Sequence, residues 1–256
     1  MFILYGLIVL AATTIGAVFG IGGGIIIKPV LEAASGEPLV LINALSGVTV
    51  LSMAAFSTLR YIRDGQKPNS DLFSLALGSV AGGFLGKYLF DIFIRQMPEK
   101  NAKAIQYAIL IMIFIIITQK KWFPQLNIKN TPMFVSSGIV LGAISSFLGI
   151  GGGPLNIPAI SMLMGVDSKR AAVYSIFVIL CSQAASLGVS LASNGYAGLN
   201  MTPLFAMIPA SIAGGFIGPF IHRKMRAESF EKYFNLLLWL LIALNVYNIW
   251  SVLYGR

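Results

Sequence analysis

The strings GIGGGIIIKP (20–29) and GIGGGPLNIP (149–158) decide the architecture of this chain. Each places glycines directly after a long apolar run, where their freedom to adopt positive φ allows a sharp reversal of the backbone. The apolar segments that follow, 24–36 and 153–165, would form helices only about 20 Å long, too short to cross about 30 Å of hydrocarbon. Each string therefore predicts a broken helix whose start lies inside the membrane.

A second pair of strings, AGGFLG (81–86) and AGGFIG (213–218), repeats in the same order at nearly the same offset. Matched strings about half a chain apart predict two structural halves joined by a polar, proline-bearing linker. We place the halves at 1–122 and 133–256 and the linker at 123–132. The Ala-Gly-Gly strings themselves are typical of close helix packing in membranes.

The composition predicts an all-α integral membrane protein. Of 256 residues, 57% are hydrophobic and 11% charged, whereas ordinary soluble domains have about a quarter charged. The first apolar run lacks a basic leader and a small-residue cleavage site, so we expect it to be retained as a helix. One cysteine, Cys181, and one histidine, His222, exclude an intramolecular disulfide and a Cys/His metal cluster, and we expect no cofactor.

Each half is expected to contain four long helices and one short helix. The predicted crossings are 2–19, 24–36, 40–62, 71–94 and 102–119 in the first half, and 133–149, 153–165, 169–193, 202–222 and 230–253 in the second. With these bounds twelve Lys and Arg residues lie on one side and four on the other, as the positive-inside bias requires. Treating the short helices as re-entrant gives a weaker split of nine against seven. Five crossings per half would invert the second half and place both termini outside the cell membrane.

The glycine strings are predicted to bind an anion. Backbone N–H groups at a helix start carry about half a positive charge and favour a ligand with several acceptor oxygens. The candidate residues are Gly20, Gly22, Gly23 and Gly24 in the first half and Gly149, Gly151, Gly152 and Gly153 in the second. The alternative is that these glycines only allow close helix packing.

Several side chains near the strings are further candidates for substrate binding: Lys28, Asn43, Ser46, Asn156 and Ser175. An unpaired lysine inside a membrane span indicates function by default, although it could instead snorkel or pair with Glu32. Ser46 and Ser175 match across the repeat, and a bond to their own helix is the alternative for both. His222 is interpreted as a cationic anchor near the inner membrane surface, and Lys87 as a snorkelling lysine.

The paired strings resemble those of the sulfite exporter TauE/SafE family, whose halves each carry a G-x-G-G-G turn followed by a short proline-containing helix. The segment ALSGVTVLSMAAFSTLRYIRDG (44–65) is similar to the family's next element, with Leu45 where threonine is usual. In the second half, AVYSIF (172–177) keeps only Ser175 of that pattern. The resemblance covers nearly the whole chain and implies transport of a small sulfur-containing anion such as sulfite, a sulfonate or thiosulfate.

Three other functions compete with transport of a sulfur-containing anion. An enzyme is disfavoured because no paired carboxylates, Ser/His/Asp or Cys/His arrangement is evident. An accessory membrane subunit, or a permease for another small anion or carboxylate, remains as the alternative. We expect contacts with membrane lipid and none with nucleic acid, because the excess of basic residues, a net charge of +9, falls in loops between apolar runs. The oligomeric state stays open, a homo-oligomer included.

Overall fold

The fold is described by a computed structural model over residues 2–35, 37–66, 68–119, 126, 130–193 and 195–254. In these residues it contains ten helices and no strand, which confirms the all-α prediction. The helices are α1 (Phe2–Phe19), α2 (Gly24–Ser35), α3 (Leu39–Arg63), α4 (Ser70–Gln96), α5 (Glu99–Thr118), α6 (Thr131–Leu148), α7 (Asn156–Met164), α8 (Ser168–Ala192), α9 (Leu204–Lys224) and α10 (Ala227–Tyr254). Most of the predicted linker and the basic residues Lys67, Lys120, Lys121, Lys129 and Arg256 lie outside the described residues.

Seven of these helices are long and apolar enough to cross a membrane, and α1 is a shorter apolar helix. The chain is therefore a multi-pass membrane protein. The helices α2 and α7 have only 12 and 9 residues, so they would extend about 18 and 14 Å at 1.5 Å per residue. Each is a half-length helix, as the glycine strings predicted.

The helix starts differ from the predicted ones by at most three residues, and the difference at α7 changes the second glycine turn. The helix α7 begins at Asn156 rather than at Gly153, so the second glycine turn is longer than the first. The first turn has positive φ at Gly20 and Gly22, whereas in the second all four glycines have positive φ. Pro154 then follows, and a left-handed residue followed by proline delays the start of a regular helix.

Two pairs of parallel helices pack through small residues. The helix α4 lies against α6, where a Cβ atom on Gly82 or Gly86 would collide with the backbone of Ile139 or Ala143. The helix α1 lies against α9 in the same way, with Gly214 pressed against Thr13 and Gly218 against Ala17. These contacts confirm that the Ala-Gly-Gly strings allow close helix packing.

The long helices α3 and α8 pack against each other in opposite directions at the centre of the protein. We call the end of the bundle where α3 ends and α8 begins the Arg63 end, and the opposite end the Leu39 end. The short helix α2 finishes at the Leu39 end, where Lys103 forms ion pairs with Glu32 of α2 and with Glu99, which accepts the N–H of Leu39. The short helix α7 leads directly into the start of α8, so the two half-length helices finish at opposite ends.

Candidate functional site

The two glycine turns meet halfway along the central helices. A Cβ atom on Gly22 would lie 3.1 Å from the carbonyl oxygen of Gly151, 3.4 Å from Ile179 and 3.5 Å from Val50. Val50 and Ile179 occupy the middle of α3 and α8, which have 25 residues each. The turns therefore contact each other midway between the two ends of the bundle.

The backbone amides of these turns are buried and largely unpaired. Gly22, Gly23, Gly151 and Gly152 are buried, and within the described residues their N–H groups have no backbone carbonyl as acceptor. Gly24 starts α2, and the following amides of Ile26 and Ile27 bond to the carbonyl of Gly23. An unpaired amide costs several kcal/mol in hydrocarbon, and about 1–3 kcal/mol in mutational data on proteins. These groups therefore favour a bound partner.

Polar side chains surround the same turns. The side-chain oxygens of Asn43, Ser46, Ser146 and Asn156 are buried and have no hydrogen-bond partner in the described part of the chain. The hydroxyl of Ser46 lies 2.8 Å from the position that a Cβ of Gly24 would take, and the amide nitrogen of Asn156 lies 2.9 Å from the equivalent position at Gly152. The structure thus brings three predicted residues, Asn43, Ser46 and Asn156, to the turns.

Ser175 has a different environment from its repeat partner. Its hydroxyl donates a 2.6 Å hydrogen bond to the carbonyl of Gly20, so it holds the first turn against α8. Ser146 was not identified from the sequence, because a serine before a glycine turn carries no signal that distinguishes it from other serines of the span. Its position is set by the end of α6, which brings it beside Asn43 and Gly149 in one small cavity.

Lys28 is fully buried and contacts the end of α6. Its ammonium group donates hydrogen bonds to the side-chain oxygen of Gln106, at 2.5 Å, and to the carbonyl of Leu148, at 2.7 Å. It neither snorkels nor pairs with Glu32, which binds Lys103 at 2.8 Å instead. The last carbonyls of a membrane helix need such donors, so Lys28 caps α6 just before the second glycine turn.

Gln106 completes this cap. Its side-chain nitrogen donates a 2.9 Å hydrogen bond to the carbonyl of Phe147. Lys28 and Gln106, from α2 and α5, therefore satisfy two consecutive carbonyls of α6. A lysine at a helix C-terminus is also favoured by the partial negative charge there.

The end of α1 is capped in the same manner by other residues. The hydroxyl of Tyr61 donates to the carbonyl of Ala17 at 3.1 Å, and the imidazole Nδ1 of His222 lies 2.6 Å from the carbonyl of Val18. His222 is buried rather than anchored among headgroups.

Lys87 pairs with Asp91 at 2.5 Å. Among the described residues no group of three or more His, Cys, Asp or Glu side chains is placed to hold a metal ion.

A small polar cavity of about 30 Å³ lies beside the second turn, toward the Leu39 end. Asn43, Ser146, Gly149 and Gln183 are among the residues that line it. This volume is enough for one water molecule. Tyr196 lies at the outer part of the cavity, and burial raises the pKa of its hydroxyl, which therefore stays protonated.

Comparisons with known proteins agree with this architecture. The family profile described as sulfite exporter TauE/SafE matches residues 5–246. The chain is 25% identical to the "Probable membrane transporter protein YunE" of Bacillus subtilis, over 96% of this chain and 98% of that protein. It is 27% identical to a "Probable membrane transporter protein" of Haemophilus influenzae, over 83% of this chain and 82% of that protein. No solved structure matches the chain significantly.

Proposed function

Because the chain belongs to the sulfite exporter TauE/SafE family, we propose that this membrane transporter carries a small sulfur-containing anion such as sulfite, a sulfonate or thiosulfate. The observation that carries the proposal is the meeting of two buried glycine turns with unpaired amides halfway along α3 and α8. A tetrahedral or pyramidal oxyanion offers several acceptor oxygens to such amides. The hydroxyl of Ser46 and the side-chain amide of Asn156 add donors from α3 and α7.

The substrate position is proposed to lie between two inverted repeats. Gly20 packs against Ala172, and Gly149 packs against Asn43. Gly149 is the repeat partner of Gly20, and Ala172 is the repeat partner of Asn43, so each contact is the counterpart of the other. The helix pairs exchange likewise, since α1 packs on α9 and α6 packs on α4. Such reciprocal contacts are expected of two halves related by a two-fold axis in the membrane plane, and rocking of one half against the other would alternate access to the turns.

The proposed orientation places both termini outside the cell. Within the described residues, Arg60, Arg63, Lys169, Arg170, Arg223, Lys224, Arg226 and Lys232 lie toward the Arg63 end, against Arg95, Lys100 and Lys103 toward the Leu39 end. The positive-inside bias then assigns the Arg63 end to the cytoplasm. The last turn of α10 lies at the Leu39 end, where Lys100 donates to the carbonyl of Leu253.

The substrate class is tested by counterflow in proteoliposomes. We expect exchange of radiolabelled sulfite, thiosulfate or a small sulfonate, and thermal stabilisation of the purified protein by the same anion, because a ligand that binds only the folded state raises its stability. Chloride at equal ionic strength is the control. Exchange of carboxylates without sulfur anions would identify a different permease, and no response to any anion would favour an accessory subunit.

Ser46→Ala is expected to weaken anion binding by about tenfold, the loss of one charge-assisted hydrogen bond of roughly 1.5 kcal/mol. Stability without ligand should change little, because the Ser46 hydroxyl has no partner in the structure. The matched control is Ser52→Ala on the same helix, whose hydroxyl bonds only to Val48 of its own helix. Counterflow KM values of the two variants provide the measurement, and equal values would remove Ser46 from the site.

A further inference from the structure

A second polar cavity opens at the Arg63 end, away from the glycine turns. It has a volume of about 500 Å³ and lies where α3 and α9 end and α8 begins. Its charged lining comprises Asp64, Asp167, Lys169, Arg170 and Arg223, together with the imidazole of His222. A space of this size admits a hydrated oxyanion, whereas the cavity beside the second turn holds about one water.

The carboxylates of this cavity are already engaged. Asp64 lies 3.5 Å from Arg60 and 3.8 Å from Arg223. Asp167 accepts the backbone N–H of Arg170 at 2.8 Å and so caps the start of α8. The two arginines offset the charge of Asp64, and the positive end of α8 partly offsets that of Asp167.

The remaining cations lack acidic partners. Lys169 donates to the carbonyl of Met225, and the Nε of Arg170 donates to the hydroxyl of Tyr174. Among the described residues no carboxylate lies within ion-pairing distance of Lys169 or Arg170. Cations in a cleft with low-dielectric walls concentrate anions from solution.

The inner wall of the cavity contains the two side chains that cap the end of α1. Tyr61 and His222 line it, and they bind the carbonyls of Ala17 and Val18, just before Gly20. We infer that this cavity is a vestibule that binds small oxyanions between the aqueous phase and the turns. Its anion affinity follows from the charges alone, and its role in transport rests on the proposed function.

The local potential is measured by cysteine modification in a Cys181→Ala background. Gln66→Cys places a thiol in the vestibule, because Gln66 lines the cavity and is exposed. The quantity measured is the ratio of two reaction rates, that of an anionic sulfonate-bearing methanethiosulfonate over that of a cationic trimethylammonium analogue. At low salt we expect this ratio to be about tenfold higher for the introduced cysteine than for a free thiol in solution. High salt should remove the preference, and ethanesulfonate should slow the anionic reagent.

Arg170→Gln is expected to lower this preference several-fold. The matched control is Arg226→Gln, which removes one exposed positive charge at the same end from a residue that does not line the cavity. Arg223→Gln replaces Arg170→Gln if the latter does not fold. No preference for the anionic reagent, or an equal loss in the control, would overturn the vestibule. A strong preference without counterflow of any sulfur anion would reject the proposed function and leave the vestibule intact.

Discussion

Gly152→Val is expected to abolish transport. Gly152 has φ of +107°, which a β-branched residue rarely adopts, and a Cβ there would collide with Ile179 and lie 2.9 Å from Asn156. The turns must separate or the amides must rotate, and a displacement of about 1 Å at a positioning site lowers a rate by about 100-fold. Gly23→Val should act similarly, because its Cβ would lie 2.8 Å from a methyl group of Thr13. The measurement is counterflow per folded protein.

The control for backbone strain is Gly65→Ala compared with Gly152→Ala. Gly65 also has positive φ, but a Cβ there has nothing within 4 Å, so alanine costs only the left-handed conformation, about 1–2 kcal/mol. Ile179→Ala should partly restore Gly152→Ala by removing the atoms that collide. Uptake that is unchanged in both valine variants would remove the amide cradle from the mechanism.

The architecture was predictable where the signals are local. Helix length, the glycine turns and the small-residue packing strings depend on single residues and short spacings, so all ten helix starts fell within three residues of those observed. The start of α7 is instructive because the two strings look alike until Pro154. Proline after a left-handed glycine extends the second turn, a difference that the shared glycines conceal.

The partners of buried polar groups were not predictable. Lys28 and Leu148 are 120 positions apart, and His222 and Val18 are 204 apart. Both contacts exist because packing brings a donor from another helix to the end of a helix that stops inside the membrane. The sequence shows that such a helix end needs hydrogen-bond donors. It does not distinguish which of the many polar side chains supplies them. The Lys28–Glu32 pair was plausible from spacing alone, and Lys103 takes that carboxylate in the structure.

Lys28→Met and Gln106→Leu are expected to destabilise the protein non-additively. Lys28→Met strands the carbonyl of Leu148 and the oxygen of Gln106, whereas Gln106→Leu strands the carbonyl of Phe147 and one proton of Lys28. Each unpaired buried group costs about 1–3 kcal/mol, so each single variant should lose about 2–6 kcal/mol. Relief of the buried charge reduces the loss in the lysine variant.

In the double variant, both partners of the Lys28–Gln106 hydrogen bond are removed. Neither the Lys28 proton nor the Gln106 oxygen is then left without a partner. Its loss of stability should therefore be smaller than the sum of the single losses by about 1–3 kcal/mol, the coupling expected of residues in one buried network. Unfolding of the purified single and double variants in detergent measures this coupling. The control is Lys100→Met, because Lys100 is exposed and, among the described residues, bonds only the Leu253 carbonyl. Additive losses would mean that Lys28 and Gln106 act separately, and a stabilised Lys28→Met would mean that its charge serves the anion rather than the end of α6.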